Sequence, residues 1–109
     1  MVQEHSQATI LLTWVTIPDS VTAIGSSAFT NCKNLIYIDI PDSVTSINER
    51  TFQDCTSLDK VVIGSGVTSI GDYAFSGCLQ LDEVCIKEGL ESIGSNAFYK
   101  CQLGSITLP

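Results

Sequence analysis

The sequence predicts a solenoid, in which short coils of chain stack on one another and pair through parallel β-strands. Two observations support this fold class. One motif recurs every 23 residues from residue 12 onward, and each copy contains an apolar-x-apolar patch that is typical of a strand with one buried face. Because a single repeat can bury its apolar face only against its neighbours, equivalent residues should form continuous rows along the solenoid.

Length, composition and charge exclude several classes of protein. The 109 residues make one domain at most, and 44% hydrophobic with 16% charged residues is typical of a packed chain. Twelve acidic against five basic residues give a net charge of -7, which disfavours nucleic acid and anionic membranes as partners. No apolar stretch approaches the roughly 20 residues of a membrane helix, so we expect no membrane insertion. Residues 1–7 include an acid and lack a following apolar run, so no secretion signal is expected in this chain.

Four full repeats and a partial fifth follow an N-terminal segment. Residues 1–11 carry no phenylalanine or cysteine in repeat register, so they are expected to form a leader or an irregular N-terminal cap. The repeats span residues 12–34, 35–57, 58–80, 81–102 and, in part, 103–109. Each full repeat places a leucine, a Val/Ile pair, a phenylalanine and a cysteine at the same positions. These residue types should therefore form the rows of the core.

Within the first repeat, the pattern predicts an ordered set of short elements. Val15 and Ile17 indicate a strand, Pro-Asp-Ser indicates a turn, and Val21 with Ile24 indicates a second extended piece. The Ala-Phe segment that follows is too short for a stable helix on its own. It is expected to form short α or 3₁₀ turns packed down by its phenylalanine.

The residue after the second extended piece is glycine in three repeats and Asn48 in the remaining one. Asparagine tolerates the left-handed region of backbone conformation better than most side chains do. We therefore expect Asn48 to have a positive φ in a tight bend.

Four cysteines recur once per repeat, at Cys32, Cys55, Cys78 and Cys101. A row with steps of about 5 Å would place the outer two about 15 Å apart, which is too far for one tetrahedral zinc ion, so no metal is expected. Disulfides between adjacent coils remain open, because a Cα separation of about 5 Å lies in the allowed range. Since the side chains should point in parallel into the coil, we expect a row of free, buried thiols.

The other chemistry-bearing residues do not form a catalytic set. His5 is the single histidine and lies in the N-terminal segment, so neither enzyme activity nor a cofactor is expected. Asp19, Asp42 and Glu88 share a turn position where stacked carboxylates could hold calcium, although an Asp in such a turn more often bonds its own backbone. Cys85 occupies an outward strand position, which fits either a reactive thiol or a small residue on a half-covered sheet.

The repeat from Leu12 to Cys32 reads L-x-x-V-x-I-P-D-S-V-T-x-I-G-x-x-A-F-x-x-C. It resembles the BspA-like class of leucine-rich repeats, and the resemblance covers residues 12–109. This resemblance implies a right-handed leucine-rich-repeat solenoid of about four and a half repeats. It also implies a location at the cell surface or outside the cell, and adhesion or binding to host extracellular proteins or glycans.

The outward strand positions are free to specialise, because they do not fill the core. They form a grid in which Trp14 and Tyr37 lie on adjacent coils, and large aromatic residues are enriched at binding hot spots. Trp14 could instead cover the exposed end of the first coil. The candidate ligand-binding residues on this face are Trp14, Tyr37, Asp39, Lys60, Val62 and Glu83.

Two functions follow from these expectations. The first is a binding module that uses the exposed sheet face, and the alternative is a structural spacer or self-assembly segment of a longer array without its own ligand. Leu103, Ile106 and Leu108 lack a following repeat that would cover them. We therefore expect self-association through residues 103–109.

Overall fold

The computed structural model describes residues 14–107, and the side chains of residues 15–104. It shows stacked coils with parallel strands, which confirms the predicted solenoid. The strands are β1 (Trp14–Thr16), β2 (Tyr37–Ile40), β3 (Ser46–Ile47), β4 (Lys60–Ile63), β5 (Ser69–Ile70), β6 (Glu83–Ile86), β7 (Ser92–Ile93) and β8 (Ser105–Thr107). The order β1-β2-β4-β6-β8 makes the long sheet, and β3-β5-β7 makes the short sheet. The predicted N-terminal segment, residues 1–11, lies outside the described residues.

The register of both sheets follows the sequence repeat. In the long sheet Ile38 pairs with Val61, which pairs with Val84. In the short sheet Ile47 pairs with Ile70, and Ile70 pairs with Ile93. Each step advances by one repeat, so equivalent residues form the continuous rows that the period predicts.

One core runs along the inside of the coils. The repeat leucines Leu35, Leu58 and Leu81 are buried, as are the inward residues of β2, β4 and β6. The four repeat phenylalanines stack in a row, with ring centroids 5.1 to 5.3 Å apart and interplanar angles of 1 to 5°. Each ring therefore packs against the ring of the next coil, which makes coil stacking the source of core burial.

In each coil, the segment that contains the repeat phenylalanine consists of hydrogen-bonded turns. Within residues 14–107 there is no helix, so the short helical turns expected for the Ala-Phe segments are wrong in detail. Every second amide of this segment donates to a carbonyl of the next coil instead. The Phe29 N–H donates to the carbonyl of Thr51 at 2.8 Å, and the Phe52 N–H donates to that of Ala74 at 2.8 Å. The amide of Cys32 donates within its own coil, to Phe29. Hydrogen bonding to the next coil therefore replaces the bonds that would build a helix.

The expected positive φ at Asn48 is wrong. The left-handed residues of this bend lie two positions later, and they are Ser27, Arg50, Tyr73 and Asn96. The preference for glycine has a steric cause, because a Cβ on Gly71 would lie 2.6 Å from the amide nitrogen of Glu49. Asn48 uses the same position differently, since its Nδ2 donates to the carbonyl of Ile24 at 2.6 Å.

Candidate functional site

The candidate site lies on the outer face of the long sheet, where the register brings the sequence-predicted residues together. Trp14 pairs with Tyr37, Tyr37 with Lys60, and Lys60 with Glu83. A second row follows two positions along each strand: Thr16, Asp39, Val62, Cys85 and Thr107. Both rows have the order expected from the sequence. The side chain of Trp14 lies outside the described side chains.

The alternation of β2 directs its side chains to opposite faces of the sheet. Ile38 and Ile40 are 0% exposed, whereas Tyr37 is half-buried and Asp39 is exposed. The same alternation holds in β4 and β6, where Lys60, Val62 and Glu83 are half-buried. The outward residues are therefore available to a ligand without disturbing the core.

Lys60 and Glu83 form an ion pair across β4 and β6. The Lys60 Nζ lies 3.6 Å from the Glu83 Oε2, and each side chain is 41% exposed. An exposed pair of this kind contributes about 0 to 1 kcal/mol to stability. The pair thus partly neutralises the charge in the middle of the face. The acidic character of the face therefore comes from the first two coils.

A groove of about 500 Å³ opens at the carboxyl ends of β1 and β2. Tyr37 and Asp39 line it, whereas Lys60, Val62 and Glu83 lie elsewhere on the described face. The sequence analysis did not propose the groove's other polar residues as ligand contacts. Its lining residues are Val15, Thr16, Ile17, Asp19, Tyr37, Asp39, Ile40, Pro41, Asp42 and Lys87.

Asp19 and Asp42 reach the groove because the turn after each strand ends beside it. The sequence marks both residues by their shared turn position, although that position suggested only a calcium site. Lys87 comes from the corresponding turn of a later coil, and no local pattern marks it as a groove residue. Three carboxylates against one ammonium group make the groove acidic.

The carboxylate of Asp42 is fixed by the next coil. Its Oδ1 accepts the backbone N–H of Ser65 at 2.7 Å. This hydrogen bond, a second from the Ser65 hydroxyl, and the charge of Lys87 hold the pKa of Asp42 below its ordinary value. The expectation that such an Asp bonds its own backbone is wrong here, because the bond joins two coils. The Asp42 carboxyl therefore ionises more readily than an ordinary one, and its Oδ1 is anchored to the next coil.

Within residues 14–107, the acidic and cysteine side chains form no cluster that could hold a metal ion. The same part of the chain contains no helix long and apolar enough to cross a membrane.

The five cysteines are free thiols. Three members of the predicted row, Cys32, Cys55 and Cys78, are buried as expected, but Cys101 is half-buried. The thiols of Cys55, Cys78 and Cys101 each donate to the carbonyl of a phenylalanine in the preceding coil. The Cys55 thiol, for example, donates to Phe29 at 3.1 Å. The row therefore lies inside the coils except at its C-terminal end. Cys85 is half-buried on the outer sheet face.

The fold and the repeated motif define a leucine-rich-repeat solenoid. A family model for the BspA type Leucine rich repeat region matches residues 4–109, in 6 copies. The chain belongs to this family.

Two solved structures are similar to this chain. One is a leucine rich cell surface protein from Faecalibacterium prausnitzii A2-165, with a TM-score of 0.68 and 30% identity over 88% of this chain. The chain spans 32% of that protein. The other is a leucine-rich repeat protein from Bacteroides ovatus ATCC 8483, with a TM-score of 0.45 and 26% identity, over 84% of this chain and 42% of that one. A comparison with curated proteins finds no match.

Proposed function

We propose that the chain is a non-enzymatic binding module of a surface or secreted leucine-rich-repeat protein, and that the groove on the long sheet is its binding site. The observation that carries this proposal is the groove itself. It places an aromatic side chain, Tyr37, beside the exposed carboxylate of Asp39 on β2, which pairs with β1. Ligand sites are concave, largely pre-formed and lined by apolar surface with a few placed polar groups.

The composition of the groove indicates the kind of ligand. Tyr37 offers a half-buried ring with a polar end, which is the type of residue enriched at binding hot spots. Asp39 and the fixed carboxylate of Asp42 complement positive charge on a partner. An extracellular protein presenting a lysine or arginine to the groove would satisfy both features, and a glycan would use mainly the ring and the hydrogen-bond acceptors.

A location at the cell surface is supported by the similar protein from F. prausnitzii, which is described as a cell surface protein. The present chain corresponds to a minor part of that protein's length, so its contribution is proposed as one binding segment. The carboxylates of Asp39 and Asp42 are assigned to recognition and not to catalysis.

The proposal is tested by binding to immobilised extracellular matrix proteins and glycans. We expect Tyr37→Ala and Asp39→Asn each to weaken binding of a captured ligand by about tenfold or more. Tyr99→Ala and Asp59→Asn are matched controls, because both residues are exposed and lie outside the groove. Binding of a protein ligand should also weaken as salt is raised, because the groove is acidic.

The pattern of loss across these variants decides the site. Equal loss in Tyr37→Ala and Tyr99→Ala would show a non-specific aromatic contribution. Unchanged binding in both groove variants would show that the ligand uses another face.

Self-association is a second candidate, and the C-terminal end of the solenoid favours it. Ile93 is 50% exposed, although its equivalents Ile24, Ile47 and Ile70 are at most 2% exposed. Leu90 and Phe98 of the same coil are only partly buried. Apolar side chains of the last full coil are thus exposed to solvent, and a second copy of the chain would cover them.

Sedimentation at several concentrations tests this candidate. Ile93→Lys should abolish association, whereas Ile36→Lys should not, because Ile36 is 49% exposed but lies on the side of the second coil. A chain that stays monomeric at high concentration, or that responds equally to both variants, would rule out association through this end.

A further inference from the structure

Among its described lining residues, the groove has one cationic side chain, that of Lys87. Lys87 follows β6 and occupies the repeat position that Pro18, Pro41 and Gly64 hold in the other full coils. The repeated motif therefore does not require a cation at this position. Because the side chain is exposed, its charge acts at the surface and not in the core.

Lys87 reaches the groove across a turn of small residues in the third coil. That turn, residues 64–66, reads Gly-Ser-Gly. A Cβ on Gly64 would lie 2.5 Å from the carbonyl oxygen of Ile40, so this turn packs directly against the backbone of the second coil. Coils follow one another at about 4.8 Å where their strands pair, and the extended stem of a lysine is longer than one such step. The third coil thus leaves the path from the fourth coil to the groove open.

The charged groups of the groove differ in the contacts that they already make. The Oδ1 of Asp42 accepts the backbone N–H of Ser65 at 2.7 Å. Hydrogen bonds from Ser65 and, to a lesser extent, the charge of Lys87 lower the pKa of Asp42. Within the side chains that the structure describes, neither the carboxylate of Asp39 nor the ammonium group of Lys87 forms a hydrogen bond or an ion pair. Both of these groups are exposed and therefore available to a ligand.

The two available charges enter the groove from different coils. Asp39 lies on β2 in the second coil, on the same outer face as Tyr37, whereas Lys87 extends from the turn of the fourth coil. A ligand with basic groups alone would pair with Asp39 but would be repelled by Lys87. A neutral ligand would leave both groups without a counter-charge. Charge complementarity at both positions therefore requires a ligand that carries one basic and one acidic group.

We propose, building on the binding function proposed for the groove above, that the ligand is an extended peptide segment with a basic and an acidic side chain two residues apart. Such side chains point to the same side of the segment, roughly 7 Å apart, and can enter the groove together. The basic side chain packs against the ring of Tyr37 and pairs with Asp39. Lys87 is the specificity-determining residue, because its ammonium group pairs with the acidic side chain.

The experiment titrates the isotope-labelled full chain with capped pentapeptides and follows the backbone amide signals by NMR. One peptide has arginine and glutamate at its second and fourth positions and serine elsewhere, and its matched partner has glutamine in place of glutamate. A second matched pair has the two charged positions exchanged, since the ligand can cross the sheet in either chain direction. In at least one pair we expect the glutamate peptide to bind about threefold more tightly at low salt. The signals that shift should belong to residues 15–19 and 37–42, which include most of the groove lining.

Substitutions of Lys87 separate its role from that of the rest of the groove. Lys87→Gln should abolish the preference for glutamate over glutamine, without weakening the binding of the glutamine peptide. Lys87→Glu should reverse the preference and favour a peptide with arginine at both positions. Lys33→Gln is the matched control, because Lys33 is exposed and does not line the groove, and it should keep the preference of the unsubstituted chain. The dispersion of the amide signals shows that each variant is folded.

The assignment of Lys87 is wrong if the glutamate and glutamine peptides bind equally well, or if the preference persists in Lys87→Gln. A peptide is the wrong class of ligand if none of the pentapeptides shifts the groove signals. In that case, a glycan whose binding is lost in Tyr37→Ala would preserve the groove as the binding site and overturn only the present inference. Loss of neither kind of binding in the groove variants would overturn the proposed function as well.

Discussion

The first and last full coils of the solenoid carry the same motif but bury it to different extents. Ile24 in the first coil is 0% exposed, and the equivalent Ile93 in the last coil is 50% exposed. Cys32 is buried, whereas Cys101 is half-buried, and Phe29 is buried more completely than Phe98. Because the residue types match, the difference shows that burial in this fold is a property of neighbouring coils and not of a single repeat.

This difference bears on the proposed self-association through the last full coil. Partial burial leaves the apolar side chains of Leu90, Ile93 and Phe98 available for association. The groove on the long sheet is lined mainly by the first two coils, where Ile24, Ile38, Ile40 and Ile47 are at most 1% exposed. The first and last full coils are therefore suited to different kinds of interaction.

The largest effect should come from deleting a phenylalanine inside the stack rather than at its end. Phe52→Ala removes a fully buried ring that has a stacked neighbour on each side, and should lower the free energy of unfolding by about 3 to 5 kcal/mol. Phe98→Ala removes a ring with one described stacking neighbour and should cost about half as much or less. Urea unfolding of both variants measures the difference, and equal costs would show that the last coil is as well covered as the second.

A smaller effect is expected from adding a methyl group where coils approach closely. A Cβ on Gly71 would lie 2.6 Å from the backbone nitrogen of Glu49, so Gly71→Ala should cost about 1 to 3 kcal/mol. At Gly104 the nearest atom is the side-chain oxygen of Asp82, which can move, so Gly104→Ala should cost within about 0.5 kcal/mol. Thermal unfolding compares the two, and the steric explanation fails if Gly71→Ala is neutral.

Asn48→Gly should be mildly destabilising, by about 1 kcal/mol, because it removes the hydrogen bond from Nδ2 to the carbonyl of Ile24. Glycine also loses more backbone freedom on folding than other residues do. A positive φ at this position would have given the opposite sign. Urea unfolding of this variant therefore separates the hydrogen-bonding role from the conformational one, and a stabilised variant would contradict the former.

The smallest effect concerns how the free energy of unfolding changes at acidic pH. The hydrogen bond from Ser65 holds the pKa of Asp42 below the value of 3.8 expected when unfolded. The carboxylate therefore stabilises the fold above about pH 3.8 and loses this contribution as the pH falls through the pKa of the folded state. Unfolding of wild type and Asp42→Asn should differ at neutral pH and converge in acid. A difference that persists undiminished well below pH 3.8 would assign the effect to packing.

Much of the fold follows from local patterns. The period of 23 residues predicts the register of the long sheet, and the outward rows appear in the order expected, including the contact between Lys60 and Glu83. Alternation within each strand predicts which side chains point outward. These features could be predicted because adjacent coils repeat the same residues at the same positions, so a short-range pattern also specifies a long-range contact.

Other features could not be read from the pattern. Lys87 reaches a groove formed mainly by the first two coils, and the amide that binds Asp42 belongs to Ser65 in the next coil. The role of Asn48 depends on the carbonyl of Ile24 and not on its own φ. In each case the deciding partner lies at least one coil away, and no local preference identifies it.

The sequence by itself determined the solenoid, its family, its parallel register and the two rows of side chains on the long sheet, since all of these depend on periodic burial. Only the tertiary structure decided that the groove collects Tyr37, Asp39 and Lys87, and that Cys101 is half-buried while Cys32 is buried. The physical reason is that repeated residues are equivalent along the chain but not in space. Groove shape and solvent access depend on which coils surround a residue, and the first and last full coils differ in that respect.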